Sequence, residues 1–258
     1  MEHSHLFTAQ DLFLTAPFLI VLAVYSLAVI KSNAHYRKWP KYRIVFWFLG
    51  IFIVMITIIG PVADRAHSNF IHHMTVHLLL GMLAPLLLAL SKPITLIYRT
   101  LPVCSARELS RFLKSWPAQM YCHPIVASIL NMGGLWILYT TDLFSAMHHH
   151  IFLHILVHIH VFVAGYLFTI SMIYVEPVPH RYSFVFRAAI SIMAFAAHGI
   201  LAKYIYGHPP TGVEPLQAEA GGMLMYYGGD AVDIILISIF CYQWYKSGRP
   251  RVTISIGK

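Results

Sequence analysis

The chain alternates between long apolar runs and short polar segments. The runs cover about 12–30, 44–63, 74–90, 124–139, 151–174, 184–206 and 223–245. A helix crosses a bilayer with about 20 apolar residues at about 1.5 Å rise each. Seven runs meet or approach that length, the fourth being the shortest. The pattern predicts an all-α fold, a polytopic membrane helix bundle of seven transmembrane helices. No long polar segment divides them, so residues 1–258 are expected to form one bundle domain, and no internal repeat is visible. The first run lacks a preceding Lys or Arg and a small-residue cleavage site. It is therefore expected to stay in the mature protein.

Composition agrees. Of 258 residues, 58% are hydrophobic and 11% charged, against about 25% charged in soluble domains. Such a chain cannot cover a globule of its size with wetted surface, and its solvent is the lipid bilayer. A disordered segment, a nucleic-acid module and a disulfide-stapled secreted domain are all disfavoured. The net charge of +8 would suggest an acidic partner if it were evenly spread. Instead, sixteen of the eighteen basic residues follow runs one, three, five and seven, leaving only Arg65 and Lys203 on the other side. Basic loops stay cytoplasmic, so the N-terminus is expected outside and the C-terminus inside. Cys104, Cys122 and Cys241 then fall on the inner side with no metal or redox spacing.

Orientation makes the histidines informative. Only His35, His123 and His180 of the seventeen lie on the inner side. His73 and His77 are four apart on one face of run three, and His150, His154 and His158 continue that spacing into run five. His158, His160 and His198 come to mid-membrane depth, as do Asp230 and Asp233 on run seven. Carboxylates in hydrocarbon cost several kcal/mol unless paired, protonated or wetted. The acidic pair is therefore expected to face the bundle interior beside the imidazoles. A single His in a span is more often a satisfied structural residue; paired histidines on two helices with carboxylates at their level point to function. The cluster reads either as a metal site or as a proton relay or hydrogen-bonded core. As a metal site its ligands are His73, His77, His154, His158, His198 and Asp230, with His3, His150, His160, Asp233, Met74 and Met223 as secondary candidates.

Copper suits that donor set. Imidazole and thioether together favour it, and Met74, Met147, Met223 and Met225 lie at the outer span ends. Met also packs well in membrane cores, so each has a plain structural role available. Met1-Glu2-His3 places a free amine two residues before an imidazole, a short copper(II)-binding arrangement that also arises by chance. His148-His149-His150 is either a metal trap or a polar rim. Pro17, Pro85, Pro93, the Gly133-Gly134, Gly221-Gly222 and Gly228-Gly229 pairs, and the Trp and Tyr residues near span ends fit helix packing and an aromatic belt.

These residues carry a resemblance. His73-Met74-Thr75-Val76-His77-Leu78-Leu79-Leu80 with Ala84-Pro85 resembles the third-span signature of the CtaG-type cytochrome c oxidase assembly factors, seven-helix bacterial membrane proteins. His154-Ile155-Leu156-Val157-His158, running on to Gly165-Tyr166-Leu167-Phe168, is similar to that family's fifth span. Gly221-Gly222-Met223-Leu224-Met225 followed by Asp230 is similar to its last. Val76 and Thr169 depart from the family's Gln and Trp. The resemblance covers roughly residues 60 to 245. It implies a non-enzymatic, multi-pass protein of the bacterial cell membrane that helps form the copper centre of a haem-copper oxidase subunit, its partner. Two alternatives stay open: a copper permease, and a haem-binding electron-transfer protein with His77 and His158 or His198 as axial ligands. An intramembrane hydrolase would need an H-E-x-x-H or Ser/His motif, and neither is present.

Overall fold

A computed structural model of the chain describes residues 9–178 and 180–248, without the side chains of 9–14, 61, 64, 67 and 68. Among the described residues the chain is helical, with no strand. Its helices are α1 (Ala9–His35), α2 (Lys41–Ile58), α3 (Pro61–Ser68), α4 (Phe70–Leu78), α5 (Ala84–Ser91), α6 (Pro93–Thr100), α7 (Val103–Leu113), α8 (Trp116–Tyr121), α9 (Pro124–Ser128), α10 (Gly134–Thr140), α11 (Leu143–His149), α12 (Ile151–Met172), α13 (Phe184–Gly207) and α14 (Pro215–Ser247). A π-helical turn, Leu79–Leu83, joins α4 to α5, and a second, Ile129–Gly133, joins α9 to α10.

Six segments are long and apolar enough to cross a membrane: Thr15–His35, Lys41–Ile58, Phe70–Thr100, Ile151–Met172, Phe184–Gly207 and Pro215–Ser247. Pro124–Thr140 and Leu143–His149 make up to a seventh as one broken span, bent by 79°. The weak fourth run of the sequence is thus a helix carrying a π-turn and ending in a sharp bend. The seventh helix begins eight residues before the expected 223, because Pro215 opens it at a favoured first position.

The bundle has two chemically different ends. At one, basic residues and aromatics interlock: the Arg43 guanidinium lies 4.6 Å from the Trp39 ring, and Arg99 donates to the Arg37 carbonyl at 2.7 Å. There the buried Glu176 carboxylate caps α6, accepting from Ile94 N, Thr95 N and the Thr95 hydroxyl. At the other end, Asn69 caps α4 by accepting from Ile71 N and His72 N, and Gln217 at the start of α14 accepts from Phe70 N at 2.9 Å. These two contacts set where α4 begins and tie it to α14, which fixes the direction in which His73 and His77 point.

Lipid offers no hydrophobic gain for bringing helices together, so close packing must do it. Gly222 lets α14 approach α13 until an added Cβ would lie 2.8 Å from the Ala202 carbonyl oxygen. Gly165 on α12 lies so close to the first π-turn that a Cβ there would overlap the Gly81 carbonyl. Around the histidine end, Phe70, Met74, Tyr139, Phe144, Met147, Leu201, Ile205 and Met225 form one buried cluster. A second, of Leu86, Phe168, Met172, Leu236 and Phe240, fills the half nearer the basic end.

Candidate metal site

His73 and His77 project from α4 into the bundle, each 5% exposed, as their four-residue spacing requires. The His73 Nε2 is hydrogen-bonded to the Tyr139 hydroxyl of α10 at 3.1 Å. His77 stands one turn deeper, its ring 6.2 Å from that of His198 on α13 and inclined to it by 28°. His198 is 2% exposed and packs on Gly229 of α14, where an added Cβ would collide with the imidazole. Both ring nitrogens of His77 and the Nε2 of His198 are buried without a hydrogen-bond partner among the described residues. Buried polar atoms are rarely left unsatisfied, which sets this pair, with three such nitrogens, apart from the other histidines.

The other histidines form a ladder toward the end of the bundle. The rings of His73 and His158 are 6.3 Å apart, those of His73 and His148 6.4 Å. The His154 and His158 rings lie 4.2 Å apart, tilted by 31°, and the His158 Nδ1 is bonded to the His154 carbonyl. A pocket of about 350 Å³ lined by His148, His149, Glu214 and Gln217 opens above Phe70 and Phe144. An apolar groove of about 360 Å³ between α2, α4 and α12 carries His73, His154 and His158 on its wall.

Not every expected residue joins. Among the described residues no three of His, Cys, Asp and Glu converge closely enough to hold one metal ion. The expected interior acidic pair is split: Asp233 is buried at 6% exposure, whereas Asp230 lies on the exposed flank of α14. Three residues leave about 60° between side chains on a helix, enough to cross the edge of a narrow interior face. His150 is exposed, and exposed His160 is bonded to the Leu130 carbonyl at 3.1 Å, on the flank of the bundle. Met74 is fully buried in the apolar cluster, and Met223 is 48% exposed. Met74 thus has the packing role. His3 and the Met1-Glu2-His3 arrangement lie outside the described residues.

With third-, fifth- and sixth-span histidines in one ladder, the comparison with known proteins is direct. Residues 23–247 match the cytochrome c oxidase caa3 assembly factor family. The chain belongs to this family. A member of this family with six or seven apolar helices, it is a multi-pass protein of the cell membrane. It is also 32% identical over 188 residues to uncharacterised proteins of Mycobacterium bovis and Mycobacterium tuberculosis, and 29% identical to one of Mycobacterium leprae. Each match covers 69% of this chain but only 28% of the relative, so the chain spans under a third of the curated relatives' length. No solved structure matches.

Several residues around these histidines escaped the sequence reading. Tyr139 and Gln217 carry no spacing signal, since their partners lie 66 and 147 residues away. Asn131, buried on the second π-turn, sits in an apolar run whose single amide could have flagged it.

Proposed function

We propose that the chain takes up copper at its histidine end and holds it between His77 and His198 for delivery to a haem-copper oxidase subunit. The observation that carries the reading is the buried imidazole pair with three orphaned nitrogens, in a family of oxidase assembly factors. Two metal–nitrogen bonds of about 2 Å, with about 1 Å more from each nitrogen to its ring centre, span about 6 Å. The observed 6.2 Å separation fits that sum. A pair of nitrogen donors satisfies copper(I), whereas zinc asks for four ligands. The lack of a three-residue cluster among the described residues therefore favours the monovalent ion.

The basic-loop asymmetry supports an outward-facing histidine end. Copper then enters through the His148–His149 pocket and passes His73, whose ring is 6.4 Å from that of His148, on its way to the pair. The apolar cluster around Leu86, Met172 and Phe240 lies beyond the pair, which favours holding over transport through the membrane. The cavities beside the pair measure about 10 and 20 Å³, too small for a porphyrin between the rings, which disfavours the haem reading. The role is non-catalytic.

The test is anaerobic copper(I) loading of purified protein against a chromophoric chelator, paired with oxidase activity in cells. H77A and H198A should each lose the bound ion and reduce oxidase activity at normal protein abundance. Ala at His3 and His5 should have a smaller effect. Wild-type copper content in H77A and H198A would refute the proposal, and a collapse in abundance would assign the pair to folding.

A further inference from the structure

Asp230 stands outside the imidazole pair, halfway along α14. At about 1.5 Å rise per residue it lies about 22 Å from Pro215 and about 25 Å from Ser247. The neighbouring helix fixes the same depth: His198, near the middle of α13, packs on Gly229, the residue before Asp230. The Asp230 side chain is nevertheless exposed, on one stripe with Met223, Tyr227 and Ile234 at intervals of three and four residues. Tyr227 is 69% and Ile234 62% exposed, so the stripe faces lipid. Asp230 makes no hydrogen bond or ion pair with any described residue. Next to the stripe, toward the histidine end, a groove of about 310 Å³ runs between α13 and α14. Ala202 and Gly222, both buried, form its floor, and Tyr206, Tyr226 and Tyr227 its walls.

An aspartate has a single methylene and cannot snorkel to an interface from mid-membrane, as a lysine near a span end can. Facing hydrocarbon, its carboxylate calls for a cation at its own level. Lys203 does not supply one: it stands five residues nearer the end of α13 than His198, with its Nζ 5.1 Å from the Tyr226 ring centre. Nor does a second copy, because the Lys and Arg residues of this chain's spans lie toward the span ends and a two-fold axis along the membrane normal preserves depth. We propose that the α13/α14 face is a docking surface for a transmembrane helix of another protein, which carries a Lys or Arg at mid-membrane depth. That cation pairs with Asp230, and the helix packs its other side chains into the tyrosine groove. Ala202 and Gly222 permit close helix approach, and tyrosine is enriched at protein interfaces. None of these side chains belongs to the imidazole pair, so the inference is independent of copper at His77 and His198.

The experiment places photoreactive benzoylphenylalanine at position 227 or 234 of the full chain, with position 27 on the exposed flank of α1 as control, and irradiates native membranes. Positions 227 and 234 should each give one discrete adduct that position 27 does not. Mass spectrometry should assign the adduct to a transmembrane segment with a Lys or Arg within about one turn of its centre. D230N and D230L should each lower the yield at least about tenfold, and D230K should restore it when that partner residue is changed to Asp. Purified D230L should unfold at or above the wild-type midpoint, since the chain alone loses only a carboxylate that faces lipid. The crosslinking reads the same whether or not the wild type binds copper. Adducts to lipid alone or to a second copy, a partner segment without Lys or Arg, or yields undiminished in D230N and D230L would overturn the proposal. So would a lowered midpoint in D230L, which would make Asp230 part of the fold.

Discussion

Gly165→Ala probes the contact that seats the third span against the fifth. The added methyl would overlap the Gly81 carbonyl oxygen, lie 3.0 Å from the Gly81 carbonyl carbon and 3.3 Å from the Pro85 ring. Two of these three are backbone atoms within the π-turn and cannot rotate aside, so α12 and the π-turn must part. Overpacking where side chains can adjust costs about 1–3 kcal/mol; with backbone as the obstacle, the upper end of about 3 kcal/mol is expected. That is a factor of about 150 in the unfolding equilibrium, or a midpoint lowered by about 6–12 °C for a chain of this size. Gly133→Ala supplies the control, since its methyl would meet only the Ile129 side chain at 3.8 Å. It should be neutral or stabilising by up to about 1 kcal/mol through helix propensity. Thermal unfolding in detergent, followed by circular dichroism, compares the two. A midpoint for Gly165→Ala within about 2 °C of wild type would refute the close approach of α12 to the π-turn.

The legible part of this protein was what depends on local period. The basic segments and apolar runs gave six spans directly, and the four-residue spacing of His73 and His77 put both inside the bundle. What depends on long-range phase was hidden. A π-turn adds a residue and rotates everything after it by about 100°, so neither the path of the fourth span nor the exposure of Asn131 follows from hydropathy. Asp230 and Asp233 differ by a fraction of a turn, and only the packing of α14 against α4 and α13 decides which is covered. Tyr139 is one of fifteen tyrosines, unremarkable until its hydroxyl meets His73.

Further outcomes can be checked with the same protein. Tyr139→Phe leaves the His73 Nε2 buried without its partner and should cost about 1–3 kcal/mol in unfolding experiments, while copper stoichiometry stays as in wild type. Gly229→Ala pushes the His198 ring aside without removing it, so chelator competition should register weakened copper binding; unchanged affinity would detach His198 from the site. Glu176→Gln keeps one acceptor but loses the charge that caps Ile94 and Thr95, and should lower stability by about 1–2 kcal/mol with copper binding intact. His160→Ala removes a bond to the Leu130 carbonyl and packing on Gly134 at the bundle flank and should leave copper content unchanged by metal analysis.

X-ray absorption at the copper edge of anaerobically loaded protein addresses the central claim most directly. A two-coordinate copper(I) signal from imidazole nitrogens alone, lost in H198A, is the predicted result. Three or more donors, a sulfur shell, or the same spectrum in H198A would contradict the assignment of the ion to His77 and His198.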